Sequence, residues 1–128
     1  MTPLVNPFGQ LLGWRLISRE NGASRYELDV RPEHMNPNRV LHGGVIFSLA
    51  DNGMGSALTT LLGEHEQCAT VQISLVFLRA VTAGTLVCET RVLQKGSRVA
   101  FLESEVKNGE QVVARVQGTF SIFPRRSK

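Results

Sequence analysis

Alternating apolar and polar positions divide the chain into strand-like segments. Two of them, residues 14–18 and 24–30, flank an Asn-Gly pair at residues 21–22, which supplies the backbone conformations of a tight hairpin turn. Four more follow in the second half of the chain, and a second Asn-Gly pair joins the last two; they cover residues 68–78, 85–93, 99–107 and 111–123. Consecutive strands with short turns predict an antiparallel sheet.

Between the two groups of strands, residues 45–62 contain no proline and are apolar on nearly all sides, which predicts a helix buried over most of its surface. Gly53 and Gly55 cost a helix about 1 kcal/mol each relative to alanine, so we expect another backbone to approach them closely. Gly63 is the expected C-terminal stop. One helix beside many strands predicts an α+β fold with the sheet wrapped around the helix.

The composition is that of an ordinary globular domain, with 42% hydrophobic and 20% charged residues among 128. We expect a single domain over residues 1–128, with a short helical turn in its first dozen residues. No apolar run reaches the roughly 20 residues of a membrane span, and no secretion signal is expected at the N-terminus. Cys68 and Cys88 are therefore predicted to be free thiols in the cytoplasm.

The charge distribution gives little support for a nucleic-acid partner. The net charge is +3, much of the excess lies in the last five residues, and no basic stripe alternates with aromatic residues. We therefore predict no nucleic-acid and no membrane partner. Metal sites need several convergent His, Cys or carboxylate groups, and none is visible, so we predict no metal and no cofactor. His34 and His65 are expected at the surface.

Asp51 lies in the middle of the predicted helix, and no Lys or Arg occurs between residues 43 and 62 to pair with it. An unpaired carboxylate in an apolar helix is costly. Asp51 therefore either lies on a single solvated stripe of the helix or is kept for chemistry, as a general base or a nucleophile.

The helix is preceded by His42-Gly43-Gly44, where the first free backbone N–H groups of the helix lie. Because glycine has no side chain, a carbonyl oxygen or a phosphate can approach these groups, and the helix dipole favours negative charge there. Such donors resemble an oxyanion hole. The alternative is a plain glycine N-terminus beside a core histidine.

Spacing separates the two candidate groups. Gly43 and Asp51 are eight residues apart, which is about 12 Å along one helix. A nucleophile must come to about 3 Å from the carbon it attacks. If both groups act on one substrate, two antiparallel helices related by a two-fold axis are needed, with Gly53 and Gly55 allowing close packing. The spacing then predicts an obligate dimer with two shared sites.

Residues 34–58, HMNPNRVLHGGVIFSLADNGMGSAL, resemble the signature of PaaI-like hotdog-fold acyl-CoA thioesterases. The resemblance extends over nearly the whole chain, including NPFGQLLGW, VQISLVFLRAVTAG, KGSRVAF and VVARVQGTFSIF. It implies a hotdog fold, an antiparallel β-sheet of five to six strands around one long central helix. It also implies a homodimer or a dimer of dimers that hydrolyses acyl-CoA thioesters.

The resemblance carries roles to individual residues. Asp51 matches the catalytic carboxylate, as nucleophile or as general base for water, and Gly43 matches the glycine whose N–H polarises the thioester carbonyl. His42 and Asn36 match residues that organise the acyl end and the attacking group. Thr70 falls where relatives have Ser or Thr to hold the water or the carboxylate.

Seven further positions are expected to contact the substrate: Gly44, Ser48, Arg39, Arg79, Lys95, Ser97 and Arg98. The basic ones are candidates for the CoA phosphates, and solvated turn cations are the alternative. Arg39 departs from the family, which usually has Gly three residues before the His. If that turn needs a positive φ, Arg39 adopts it at a cost. Arg79 also departs from many relatives.

Two other functions stay open at this stage. One is a hotdog enoyl-CoA hydratase or dehydratase, which would use His42 and Asp51 to move protons. The other is a non-catalytic acyl-CoA binding protein on the same fold, since fold alone does not give function. The acyl group is not identified by the sequence; five residues are candidates for lining an apolar pocket or the core, namely Phe47, Met54, Leu58, Phe77 and Phe101.

Overall fold

A computed structural model describes residues 6–126 and contains one antiparallel sheet of six strands with one long helix. The predicted hotdog-type α+β architecture is confirmed. Along the chain the elements are α1 (Pro7–Leu12), β1 (Trp14–Glu20), β2 (Ala23–Asp29), a 3-10 turn (Pro32–His34), α2 (Gly43–Thr59), β3 (Glu66–Phe77), β4 (Thr85–Lys95), β5 (Val99–Asn108) and β6 (Gln111–Pro124).

The strand order in the sheet is β1-β2-β4-β5-β6-β3, so β1 and β3 form its two edges. β3 pairs with β6 rather than with β4, which follows it in sequence. Both predicted hairpins are present. In the first, Asn21 and Gly22 have φ values of 50° and 80°, the positive values that a type I′ turn requires. In the second, Asn108 pairs with Gln111 across a two-residue turn.

The ends of α2 differ from the predicted range of 45–62. The helix begins at Gly43, because His42 acts as its N-cap, and it ends at Thr59. At the C-terminal end, the hydroxyls of Thr59 and Thr60 donate 2.7 Å hydrogen bonds to helix carbonyls. The backbone N–H groups of Thr60, Leu61 and Leu62 donate to the carbonyls of Ala57, Leu58 and Thr59, and these tighter bonds close the last turn with Thr60 as the C-cap. Gly63 is therefore not the C-cap, and that prediction is wrong.

The core lies between α2 and the concave face of the sheet. Its largest fully buried side chains come from the helix and from four strands: Leu28, Leu49, Met54, Leu58, Leu86, Leu102, Val106, Val113, Val116 and Cys88. Of the two alternatives left open for Met54 and Leu58, an acyl pocket or the core, the structure confirms the core. Met54 packs directly over Gly118, where a Cβ would lie 2.5 Å from its sulfur.

Gly53 also faces its own sheet. A Cβ at this position would lie 2.8 Å from the Thr90 hydroxyl, and the Gly53 carbonyl accepts a 2.7 Å hydrogen bond from Ser24. The close neighbours of Gly53 are thus side chains of β2 and β4, and the expectation that a second chain packs on this glycine is wrong. Gly55, in contrast, is only half-buried.

The predicted N-terminal helical turn is α1, whose N-cap is Asn6. Gly9 lies against the indole of Trp14, and the Phe8 and Trp14 rings meet edge to face at 5.8 Å. These contacts dock α1 on β1. The part of that prediction that covers residues 1–5 lies outside the described residues.

Candidate active site at the start of the long helix

Asn36 shapes the loop that leads into α2. Its side-chain oxygen accepts hydrogen bonds from the backbone N–H of Asn38 at 2.8 Å and of Val40 at 3.3 Å. The loop is closed by a β-bridge between Met35 and Leu41. Asn36 therefore fixes the conformation of the loop backbone, and this loop leads to His42 and the start of α2.

Arg39 lies in this loop with a φ of 63°. The turn thus needs the left-handed conformation that glycine adopts freely and other residues adopt at a cost of roughly 1–2 kcal/mol. Its side chain is exposed. The family's glycine at this position has a conformational reason, and Arg39 replaces it with a solvent-facing cation beside the start of α2.

The two glycines that begin α2 do not have equivalent N–H groups. His42 Nδ1 accepts a 2.8 Å hydrogen bond from the Gly44 N–H, so that donor is already used within the chain. Within residues 6–126, no group accepts a hydrogen bond from the Gly43 N–H. Because the bond from Gly44 needs an unprotonated Nδ1, neutral His42 carries its proton on Nε2. Gly43 thus presents the open donor at the positive end of the helix dipole.

Phe77, the last residue of β3, lies directly over Gly43. Its Cζ is 2.7 Å from the position that a Cβ on Gly43 would take, so a larger residue at this position would have to displace the ring. The same two residues line a groove of about 400 Å³, together with Leu41, Ile46, Leu78, Arg79, Ala80 and Val81. The groove is apolar apart from Arg79, and it brings that predicted cation to the Gly43 end of the helix. Sequence reasoning does not single out Leu41, Ile46 and Val81, because their apolar character is equally that of core residues.

Asp51 lies two turns further along α2 and is half-buried. Its Oδ1 accepts a 2.6 Å hydrogen bond from the hydroxyl of Thr70 on β3. The nearby Ser48 hydroxyl donates to the Gly44 carbonyl at 2.8 Å, which leaves its oxygen free to accept a further bond. Thr70 and Asp51, far apart in sequence, are thus brought together as one pair on the open side of the helix.

Three of the remaining predicted substrate contacts lie elsewhere in the chain. Lys95 ends β4, and Ser97 and Arg98 lie in the β4–β5 turn, where the Arg98 carbonyl accepts a hydrogen bond from the Ile122 N–H near the end of β6. Phe77, beside Gly43, pairs with Ala114 near the start of β6. Eight residues of strand span about 26 Å, so one chain does not bring this turn and the Gly43 groove together.

A second groove, of about 1000 Å³, lies on the side of the sheet facing away from α2 and contains none of the predicted site residues. Six of its seven charged side chains form cross-strand ion pairs, among them Arg25–Glu89 at 3.2 Å and Arg91–Glu103 at 2.7 Å. Because these charges neutralise each other, the groove is best described as a row of solvent-exposed ion pairs on the outer face of the sheet.

Two histidines and both cysteines lie outside the His42-Gly43-Gly44 motif. His34 is 2% exposed, so the expectation of a surface residue is wrong; its Nδ1 accepts from the Arg31 N–H, and its Nε2 lies 2.8 Å from the Leu12 carbonyl. His65 is exposed, as expected. Cys68 and Cys88 are free thiols, as predicted, and burial raises the pKa of Cys88 to about 11.

Residues 6–126 hold no group of three or more His, Cys, Asp or Glu side chains placed to bind a metal ion. In the same range, none of the helices is both long enough and apolar enough to cross a membrane.

Comparison with known proteins identifies the family. A family model described as the thioesterase superfamily matches residues 38–115, more than half of the chain. A protein of Archaeoglobus fulgidus named "Putative esterase" is 33% identical over 113 residues, covering 86% of this chain and 71% of that protein.

Solved structures agree with this result. The conserved protein PA5202 from Pseudomonas aeruginosa has a TM-score of 0.90 and 34% identity, covering 93% of this chain and 95% of that chain. A mutant of the phenylacetic acid degradation protein PaaI from Thermus thermophilus has a TM-score of 0.85 at 23% identity, covering 91% and 98%, and so shares the fold. The resemblance to PaaI-like hotdog proteins is confirmed, and the chain belongs to the thioesterase superfamily.

Proposed function

We propose that this protein hydrolyses acyl-CoA thioesters to free CoA and a carboxylic acid, in the cytoplasm and as a homodimer or a dimer of dimers. The single observation that carries the proposal is the open Gly43 N–H at the start of α2, under the ring of Phe77. A thioester carbonyl that accepts from this N–H gains stabilisation as its oxygen becomes negative. One such donor is worth roughly 10²–10³ in rate.

Asp51 supplies the attacking group in this proposal. Its carboxylate either attacks the thioester carbon or takes a proton from a water molecule that attacks it. If Asp51 attacks, the carbon–sulfur bond breaks and an acyl–Asp51 anhydride forms; the CoA thiolate takes a proton from a water molecule, and the resulting hydroxide cleaves the anhydride to the carboxylic acid and the Asp51 carboxylate. If Asp51 acts as the base, the hydroxide adds to the carbon, the carbon–sulfur bond breaks, and the proton held by Asp51 passes to the leaving thiolate. The Thr70 hydroxyl fixes one carboxylate oxygen of Asp51 at 2.6 Å and so leaves the other oxygen for the reaction.

Two copies of the chain are required for this chemistry. Gly43 and Asp51 lie on one helix about 12 Å apart, so they do not reach one carbonyl from the same chain. An antiparallel second copy supplies Asp51 to Gly43 and receives Gly43 at its own Asp51. The half-buried Asp51 on the uncovered side of α2 is consistent with this pairing.

The substrate's CoA portion extends along the groove beside Gly43. Its apolar walls suit the pantetheine arm, and Arg79 at the groove supplies a cation for phosphate. Arg39 lies in the exposed loop before the helix. The β4–β5 turn with Lys95, Ser97 and Arg98 is about 26 Å from the Gly43 groove of its own chain. In this proposal these residues therefore reach the substrate only from a second copy.

The test is release of free thiol from a panel of acyl-CoA esters, including phenylacetyl-, hydroxybenzoyl-, hexanoyl- and palmitoyl-CoA. We expect Asp51→Asn to lower kcat by about 10²–10⁴-fold while the oligomer, followed by gel filtration, is unchanged. Glu110→Gln, in the exposed β5–β6 turn, is the matched carboxylate control and keeps full activity.

Hydrolysis that survives in Asp51→Asn would refute the catalytic assignment. Two other results would move the function to the alternatives. Hydration of an enoyl-CoA without thiol release would indicate a hydratase. Tight binding of an acyl-CoA with neither reaction would indicate a binding protein.

A further inference from the structure

The side of α2 that the sheet leaves uncovered has an unusual composition. Most of its side chains are small or polar, and one is a large aromatic ring: Gly44, Phe47, Ser48, Asp51, Asn52, Gly55 and Thr59. Phe47 is 39% exposed, whereas the apolar residues on the other side of the helix are buried in the core. An exposed Phe on an otherwise polar face marks a point where another apolar group is expected to pack.

The position of Phe47 along the helix is specific. It follows Gly43 by four residues and precedes Asp51 by four, so the three residues lie on one stripe of α2. Each interval is about 6 Å along the axis. Phe47 is therefore the midpoint between the open N–H and the carboxylate.

This midpoint has a consequence for two copies of the chain. When two antiparallel helices are related by a two-fold axis, positions at equal distances on either side of the axis face each other. If Gly43 of each copy faces Asp51 of the other, the axis passes through the midpoint, and residue 47 faces its own copy. This step rests on the proposed function, which requires that pairing.

We propose that Phe47 lies on the two-fold axis of the dimer, where its ring packs against Phe47 of the second copy and closes both acyl pockets. Each pocket extends along α2 from a Gly43–Asp51 pair, and the two rings form its end wall. Met54 and Leu58 are buried in their own core and offer no alternative wall. The wall restricts the enzyme to compact acyl groups, and an aromatic wall favours an aryl group by ring stacking.

Disulfide trapping tests the position of Phe47. Helices in contact are 8–10 Å apart, so residues that face each other across the axis fall within the Cα separation of a disulfide. We expect Phe47→Cys, in a Cys68→Ser background, to form a covalent dimer in most chains on treatment with diamide. Cys88 is fully buried and remains in place. Ile17→Cys, which is 46% exposed on the edge strand β1, is the control and should stay largely monomeric on a non-reducing gel.

Substrate preference tests the end wall. Phe47→Ala should raise the ratio of kcat/KM for palmitoyl-CoA to that for phenylacetyl-CoA at least tenfold, and Phe47→Leu should raise it less. Leu16→Ala, an exposed apolar residue on the edge strand β1, serves as the control and should leave the ratio unchanged. An unchanged ratio in Phe47→Ala would overturn the end-wall role.

The two proposals fail in different ways. Trapping needs no turnover, so Phe47→Cys combined with Asp51→Asn should still form the covalent dimer. A trapped dimer with hydrolysis surviving in Asp51→Asn would refute the catalytic role and leave the axis in place. No trapped dimer from a protein that is dimeric by gel filtration would overturn the placement of Phe47, whatever the result for Asp51.

Discussion

The hydroxyl of Thr70 donates a 2.6 Å hydrogen bond to Oδ1 of Asp51, and this bond joins the edge strand β3 to the long helix α2. The pairing of β3 with β6 shifts between Thr70 and Gln72, so a bulge lies directly after Thr70. Bulges re-aim side chains in an otherwise regular strand. The local irregularity of β3 and the orientation of the candidate catalytic carboxylate are therefore linked.

Removal of this bond should slow the reaction without unfolding the protein. Thr70→Val keeps the shape of the side chain and removes the donor. A hydrogen bond to a charged group is worth about 1.5–3 kcal/mol, so we expect kcat to fall about tenfold to a hundredfold with little change in KM. Thr70→Ser restores the donor and should recover most of kcat. A Val variant with wild-type kcat would show that Thr70 does not position Asp51.

Arg39 combines a conformational cost with a charge, and two substitutions separate them. Arg39→Gly removes the strain of a φ of 63°, and after the extra chain entropy of glycine we expect a gain of up to about 1 kcal/mol in the free energy of unfolding. The loss of the cation should raise KM for the CoA ester.

Arg39→Lys is the matched control for this pair of effects. It keeps a positive charge in the same strained conformation, so KM should stay close to that of the wild type and the urea midpoint should not rise. A stable Gly variant with unchanged KM would leave Arg39 with no role in binding CoA.

Gly53 should be intolerant of even one added methyl group. A Cβ there would lie 2.8 Å from the Thr90 hydroxyl, which is itself held 2.6 Å from the Ser104 hydroxyl. We expect Gly53→Ala to lower the free energy of unfolding by about 1–3 kcal/mol in urea denaturation. Gly55→Ala, whose Cβ would meet only Phe120 at 3.9 Å, is the comparison and should cost less. Equal losses would mean that contact with β4 is not the cause.

Asp29 should make the fold sensitive to acid. Hydrogen bonds from Arg15 and Thr85 hold the pKa of Asp29 below its ordinary value of 3.8. A carboxyl whose pKa is lower in the folded state stabilises the fold above the unfolded pKa, and this contribution is lost as the pH falls through the folded pKa. The loss therefore occurs below pH 3.8.

The Asp29 contribution is measured by the urea midpoint at pH 6 and at pH 3. Asp29→Asn should lower the midpoint at pH 6 and reduce the difference between the two pH values. Glu110→Gln, exposed in a turn, should leave that difference as it is in the wild type. The same difference in Asp29→Asn and wild type would assign the acid sensitivity to other carboxyl groups.

The parts of the fold that sequence reasoning predicts correctly depend on local chemistry. Asn21 and Gly22 adopt positive φ because their own conformational preferences allow it, and the hairpin register follows from that turn. The alternation of Tyr26 and Leu28 with charged residues places the first two in the core because strand side chains alternate between faces. Neither inference needs knowledge of a distant segment.

The errors all involve partners distant in sequence or a capping side chain. His34 is buried because it meets the carbonyl of Leu12, 22 residues away. Gly53 faces β2 and β4 rather than a second chain. The Gly44 N–H is used by His42, so only one of two adjacent glycines keeps an open donor. The strand order, which separates the turn at Arg98 from the Gly43 groove, is likewise absent from the local pattern.

His34 joins three segments that are otherwise separate. Its ring contacts the Leu12 carbonyl at the end of α1, and its backbone carbonyl accepts a 2.9 Å hydrogen bond from His42 N–H, one residue before Gly43. Arg31 adds bonds to the Leu11 and Leu12 carbonyls. The end of α1 thus helps to hold the segment that leads to Gly43, whose N–H is the proposed oxyanion donor. Removing the residues up to Leu12, or fusing a bulky tag directly to α1, should therefore disturb the position of the Gly43 N–H, whereas a tag at the C-terminus should leave these contacts intact.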